Sequence, residues 1–321
     1  MRPPGENYLV TSLRLVFAGS PSAAVPSLDA LAASGHTVVA VVTREDSPQG
    51  RRGELKQTPV ADAADRLGIT VIKANRLSDS VARTIAGLFP ELGVIVAYGG
   101  FVREPLLSLP RNGWINLHFS LLPHWRGAAP VQRSIIAGDE ITGATVFSLV
   151  PQMDAGEILG QLTQNVGPNE TAGELLDSLS VTGADLLVRV VDSIADGTAR
   201  AEPQRGEVSF APKLELADGA IDWSTNAHTV VNLIRGVTPE PGAFTVIDGV
   251  RVKIVSARIA QSDQRLTPGH LCQEGKSILV GTATLPIELI TVHPAGRKAM
   301  MAADWWRGRG TDAGSITGES K

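Results

Sequence analysis

Between Leu13 and Leu149 the chain alternates short β-branched runs with helix-like segments, and few folds accept that order. The runs Leu13–Ala18, Thr37–Val42, Ile69–Lys73, Gly93–Ala97, Trp114–Phe119 and Ala144–Leu149 predict strands. Segments Ala23–Ala33, Pro59–Leu67, Ser80–Leu88 and Ala128–Ala137 predict helices. Parallel strands need long crossovers, which helices supply, so this alternation predicts a mostly parallel sheet covered by helices on both faces. Ligands of such sheets sit outside the carboxyl ends of the strands, where the strand order reverses. Phe17-Ala18-Gly19-Ser20-Pro21 closes the first strand without a full G-x-G-x-x-G, so a dinucleotide is not indicated.

Thr171 to Asp196 predicts a long helix, opened by Thr171 with Glu174 three positions on as a capping box. Pro203 to Pro212 is polar and loop-like, and the texture then changes. Phe244–Ile247, Val252–Ala257, Ser277–Val280 and Ile287–Val292 are short strand-like runs between glycines and prolines, which predict a small β-barrel or sandwich with little helix. A chain of 321 residues suits two domains, because single cores rarely grow past about 250–300 residues. The expected division is 13–204 and 205–310, with 1–12 and 311–321 as flexible ends.

Trp114 to Phe119 carries the chemistry. Side chains alternate faces along a strand, so Asn116, His118 and Ser120 are expected on one side and Leu117 and Phe119 on the other. A buried strand is normally apolar on both faces. Three polar residues on one face, ahead of Pro123, therefore predict the mouth of a pocket. Asp154, in Met-Asp-Ala-Gly, also follows a strand. An amide, an imidazole and a carboxylate suit acyl or one-carbon transfer, since fixed donors stabilise a developing oxyanion. A nearby carboxylate is expected to raise the His118 pKa and fix its tautomer. No Ser or Cys nucleophile motif accompanies them, so the incoming substrate is expected to supply the nucleophile. Each residue also has a plain reading: a hydrogen-bonded core histidine, an asparagine paired with backbone, a turn aspartate.

Net charge is −4, so a nucleic-acid partner would have to be met by local basic clusters. Two stand out: Arg44 to Lys56 around Arg51-Arg52, and Arg297-Lys298 with Arg307 and Arg309. The lone Cys272 excludes an internal disulfide, and the six histidines show no metal-ligand spacing. No apolar run approaches the roughly 18 residues of a membrane span, and the start lacks a secretory pattern. A cytoplasmic protein without metal is the expectation.

The string Asn116-Leu117-His118-Phe119-Ser120-Leu121-Leu122-Pro123 with Asp154-Ala155-Gly156 resembles the 10-formyltetrahydrofolate-dependent formyltransferases. Trp125 to Arg133 (WRGAAPVQR) resembles the branch of that family whose acceptor is an aminoacylated tRNA. The likeness runs from Leu13 to Gly308, through Ala97-Tyr98-Gly99, Ile234-Arg235-Gly236 and Pro241-Gly242-Ala243. It implies a Rossmann-like α/β formyltransferase domain joined to a C-terminal OB-like β-barrel that helps bind tRNA. The partners it implies are 10-formyltetrahydrofolate as co-substrate and the amino group of methionyl-initiator tRNA as acceptor, met by a monomer. Asn116, His118 and Asp154 would be catalytic. Ser120, Leu121, Leu122 and Pro123 would line the folate site. Arg44, Arg51, Arg52 and Lys56, in a loop from Thr43 to Val60, would meet the acceptor end of the tRNA. Phe119 and His124 depart from the family pattern without removing a catalytic group. Rival readings are an amino-sugar formyltransferase, a formyl-folate hydrolase and a non-catalytic RNA-binding module.

Overall fold

The computed structural model describes residues 12–49, 53–309 and 314–315. Arg51 and Arg52 lie outside the described residues, as do both expected flexible ends apart from Ser12 and Gly314–Ser315. In chain order the amino-terminal half runs β1 (Arg14–Gly19), α1 (Val25–Ala33), β2 (Thr37–Thr43), β3 (Ser47–Gln49), β4 (Glu54–Lys56), α2 (Pro59–Leu67), β5 (Val71–Lys73), α3 (Asp79–Ala86), β6 (Leu92–Val96), β7 (Trp114–His118), β8 (Arg126–Gly127), α4 (Pro130–Ala137), β9 (Ile141–Ser148) and β10 (Ile158–Asn165). It continues through α5 (Ala172–Ala195), β11 (Phe210–Ala211), α6 (Ala227–Gly236), β12 (Ala243–Ile247), β13 (Val250–Ile259), β14 (His270–Glu274), β15 (Ser277–Val280), β16 (Ile287–Pro294), β17 (Met300–Met301), α7 (Ala302–Arg307) and β18 (Gly314–Ser315).

The chain forms two compact units. The first comprises Met1–Ala128, Gly143–Gln164 and Leu176–Phe210; the second comprises Ala129–Thr142, Asn165–Leu175 and Ala211–Lys321.

In the first unit the sheet has the order β10-β9-β7-β6-β1-β2-β5. β7, β6, β1, β2 and β5 pair in parallel, and β9 runs antiparallel to β7. The strands of the parallel core are apolar because helices cover them; every residue of Leu92–Val96 is buried. Gly93 is required there, since a methyl group at that position would enter the Trp114 ring. From β1 the chain proceeds outward through β2 to β5, then returns to lay β6 and β7 on the other flank. The order reverses beside β1, and the carboxyl ends of β1, β6 and β7 frame that crevice. Local signals set the flanking helices: Thr58 accepts from the Ala61 N–H at the start of α2, and Gly68 ends it in the left-handed conformation.

In the second unit β12-β13-β16-β15-β14-β18 form one ladder, with β17 on β16. Its core gathers Trp223, Ile234, Val252, Ile254, Leu289 and the Trp305-Trp306 pair. Among the described residues the ladder stays open, so the closed barrel expected from the resemblance is not seen. Helix content is also higher than expected. Ala227–Gly236 is a helix whose start is capped by Asn226 accepting from the Thr229 N–H. Its run Thr229-Val230-Val231 favours strands, but Ala227, Val230 and Ile234 recur at helical spacing and are buried, and burial decides. Gly236 packs against Gln132 and Ile136 of α4, drawing that helix into this unit. Gly167 and Glu170 are held there too, their carbonyls accepting from the Arg235 guanidinium at 2.9 and 3.0 Å.

Candidate active site

His118 ends β7, and Asn116 stands two residues before it on the same strand. Asn116 is half-buried and His118 is buried. The strand stops at His118, so Ser120 belongs to the turn that follows rather than to the alternation.

The His118 ring is oriented from the loop after it. Its Nε2 lies 2.8 Å from the Trp125 carbonyl oxygen. A carbonyl only accepts, so in the neutral ring Nε2 carries the proton and Nδ1 is left with its lone pair. Asp154 Oδ2 faces that Nδ1 at 3.9 Å. This is beyond hydrogen-bond length, so Asp154 does not set the tautomer directly. Its Oδ2 instead accepts from the Gly127 N–H at 2.8 Å.

Burial lowers the His118 pKa below its ordinary 6.5 and outweighs the Asp154 charge, which raises it, and the Trp125 carbonyl, which raises it further. The expectation of a raised pKa is thereby corrected. The neighbouring carboxylate was visible in the sequence, but the loss of water around the ring was not, and desolvation penalises the charged form. At neutral pH the ring is a neutral base.

Asn116 has a loose end. Its Oδ1 is buried with no hydrogen-bond partner among the described residues. A buried amide left unpaired costs free energy, and such groups concentrate where a ligand completes the bonding.

The backbone around the site is strained. Asp154 has φ 48°, Trp125 φ 62° and Ala97, just past β6, φ 49°. Non-glycine residues seldom adopt this region and need surrounding structure to hold them there. For Asp154 the sequence carries no hint of the holder. It is Gln204, whose Nε2 donates to the carbonyls of Asp154 and Gly156, both at 2.8 Å. Its Oε1 accepts from Arg126 Nη2 at 2.6 Å and Nε at 3.2 Å. Gly156 allows the close approach, since a methyl group there would collide with the Ser148 carbonyl. Gln204→Leu removes all four bonds at similar volume. Turnover is expected to fall by about tenfold, with the apparent melting temperature lowered by several degrees, because two carbonyls and a guanidinium are left unpaired. Gln204→Glu keeps the acceptor side and should recover part of the melting temperature. Unchanged kinetics in Gln204→Leu would show that the clamp is unimportant.

The Ser120–Pro123 segment is largely interior. Ser120 is fully buried and donates to the His124 carbonyl at 2.6 Å. Leu122 and Pro123 are buried, and Leu121 is half-buried. Thr145, also missed in the sequence, ties this turn down: its hydroxyl donates to the Ser120 carbonyl at 2.6 Å and accepts from the Leu122 N–H and Gln161. Phe119 is buried and His124 is exposed.

The stretch from Thr43 to Val60 is not wholly loop. Ser47–Gln49 and Glu54–Lys56 pair as an antiparallel hairpin, with Leu55 71% exposed. Lys56 is exposed. Arg44 already uses its guanidinium on the carbonyls of Tyr98 and Gly99, at 3.3 and 2.6 Å. No group of His, Cys, Asp and Glu suited to a metal ion occurs among the described residues, and no described helix is long and apolar enough to cross a membrane.

The family model described as "Formyl transferase" matches residues 13–191, and "Formyl transferase, C-terminal domain" matches 213–310. The chain is 57% identical over 296 residues to a methionyl-tRNA formyltransferase of Clavibacter sepedonicus, covering 92% of this chain and 97% of that protein. It is 56% identical over 301 residues to one from Leifsonia xyli subsp. xyli, covering 94% and 99%. Among solved structures it resembles the N-formyltransferase of Helicobacter canadensis in complex with folinic acid and dTDP-3-aminofucose. The TM-score there is 0.66 at 17% identity, over 86% of this chain and 98% of that one, a likeness of fold alone. Two family models spanning most of the sequence and relatives above half identity lead to one conclusion: this chain belongs to the formyl transferase family.

Proposed function

We propose that the protein transfers the formyl group of 10-formyltetrahydrofolate to the amino group of methionyl-initiator tRNA, giving N-formylmethionyl-tRNA for translation initiation in the cytoplasm. The observation that carries the mechanism is the bare Nδ1 of His118 facing Asp154 across 3.9 Å, on the strand that also carries Asn116. The amino nitrogen attacks the formyl carbon, and the formyl oxygen gains charge. The side-chain nitrogen of Asn116, Nδ2, donates to that oxygen, while its Oδ1 is left to accept from the incoming amine. His118 Nδ1 accepts the proton that the amine loses, and Asp154 stabilises the imidazolium so formed. His118 then returns the proton to N10 as the bond from formyl carbon to N10 breaks, and tetrahydrofolate leaves. His118 begins and ends neutral, which suits a ring whose pKa is depressed.

The folate is held at the turn Ser120, Leu121, Leu122 and Pro123, through its backbone and the Leu121 side chain. The segment from Thr43 to Val60, with Arg44, Arg51, Arg52 and Lys56, meets the acceptor end of the tRNA. Residues 13–204 form the catalytic domain and 205–310 a partly open, OB-like tRNA-binding domain of a monomer.

Labelled formyl transfer tests this reading. Initiator methionyl-tRNA is expected to be formylated at least about 100-fold faster, by kcat/KM, than elongator methionyl-tRNA, the scale of about 2.7 kcal/mol of differential transition-state binding. Formylation of a nucleotide-linked amino sugar with no transfer to tRNA would overturn it.

A further inference from the structure

We infer that Arg251, Lys253 and His293 form a phosphate-binding site on the second compact unit, and that its occupant is a phosphodiester of the tRNA substrate. The identity of the occupant rests on the function proposed above; the anion chemistry of the site does not.

Strand register builds the site. Lys253 of β13 lies opposite His293 of β16 on one side and Phe244 of β12 on the other. Arg251 is two residues from Lys253 on the same strand and therefore shares its face. The intervening Val252 points to the core and is buried with Ile254 and Val292. Arg251 lies over the Phe244 ring, its Cζ 3.6 Å from the centroid, which fixes the plane of the guanidinium.

The fixed guanidinium is unsatisfied. Arg251 Nε and Nη2 are both buried with no hydrogen-bond partner among the described residues. These two N–H groups form one edge of the guanidinium, the edge that grips two oxygens of one phosphate side-on. A charged donor left buried and unpaired is costly, and a ligand oxygen would remove that cost. Next to it is a cavity of about 190 Å³ lined by Leu216, Arg251, Lys253, His293, Pro294 and Ala295. Three of these six carry basic side chains, and none is a carboxylate. Lys253 Nζ gives one hydrogen bond to the Pro241 carbonyl at 3.2 Å and has further protons to offer.

Two of the basic residues that stand out in the sequence, Arg307 and Arg309, are differently placed. Arg307 is paired with Asp304. Arg309 is paired with Asp248 and lies near the rings of Trp305 and Trp306, at 5.0 and 4.9 Å. Neighbouring carboxylates already offset those two charges. Arg251 and Lys253 have no such carboxylate in the cavity wall, which makes them a stronger anchor for a nucleic-acid backbone than Arg307 and Arg309.

The test uses the full chain with Arg251→Met and, separately, Lys253→Met, each keeping the length of the apolar stem. Affinity for initiator methionyl-tRNA is measured against salt concentration, alongside turnover at saturating tRNA and folate affinity. Each variant is expected to bind tRNA about five- to tenfold more weakly. The slope of log affinity against log salt should be smaller by about 0.7–0.9 for each phosphate that is no longer neutralised. Turnover at saturation and folate affinity should be unchanged. Wild-type affinity and slope in both variants, with a wild type that formylates tRNA, would overturn the inference. If the wild type fails to use tRNA, the proposed function fails instead, and titration with inorganic phosphate decides the site by itself. Weak binding that disappears in Arg251→Met upholds an anion site; equal binding by both proteins overturns it.

Discussion

His118→Ala is expected to lower turnover at saturating tRNA by at least about 100-fold, the usual scale for removal of an acid–base group. Folate affinity should change little, because the Ser120–Pro123 turn is held by Thr145 and not by His118. The side chain is buried, so its removal also leaves a void beside Phe147, whose ring meets the imidazole edge-on at 6.4 Å. His118→Gln fills much of that void without supplying a base. Turnover in the glutamine variant should remain within about tenfold of the alanine variant even where its stability recovers. Near-normal turnover in folded His118→Ala would refute the assignment.

Asp154→Asn should have the second largest effect. The substitution removes the charge facing Nδ1 while an amide oxygen can still accept from the Gly127 N–H. A pair of unit charges near 4 Å interacts by about 4 kcal/mol at an effective dielectric constant of about 20. Losing even part of that from the imidazolium-like transition state should slow turnover by about 100-fold at neutral pH. The pH dependence has a definite sign. Neutral His118 is the working base, so activity should fall as pH drops through its pKa, and burial places that limb below 6.5. The carboxylate raises the pKa, so its removal should move the acid limb to still lower pH. A limb shifted upward in Asp154→Asn, or a turnover unchanged at pH 7, would show that Asp154 does not act on His118.

Much of this fold is legible in the sequence because its parallel core is built from short, largely apolar strands, of which Leu92–Val96 is apolar and buried throughout. The position of Asn116 and His118 at the end of β7 follows from the same reading. What escapes is what depends on distant partners. Ile158–Asn165 is a half-exposed strand with glycine and glutamines, so its pattern is faint until β9 pairs with it. The helix Ala227–Gly236 carries β-branched residues whose helical spacing counts only once they are buried. Gln204 looks like an ordinary loop residue, and only the folded chain brings its amide to the Asp154 and Gly156 carbonyls. Thr145 is hidden in the same way, within a strand. The direction of the His118 pKa is set by desolvation, which a list of neighbouring charges does not contain.

The division into two units also bears on how the protein can be dissected. Ala129–Thr142 and Asn165–Leu175 pack within the second unit, although they lie inside the first in sequence. Cutting the chain after Gln204 would strip Gln132 and Ile136 of the helix that carries Gly236, and would take Arg235 from the carbonyls of Gly167 and Glu170. The contribution of the second unit to tRNA affinity is therefore better measured by substitution, as at Arg251 and Lys253, than by truncation.

The central claim is that His118 works as a buried neutral base whose Nδ1 is open to the reacting amine. An NMR titration of the His118 ring nitrogens in the full-length protein measures this directly. The expected result is an Nε2-protonated tautomer at neutral pH and a titration midpoint below 6.5, lowered further in Asp154→Asn. A midpoint above 6.5 in the wild type, or a proton resident on Nδ1 of the neutral ring, would contradict it.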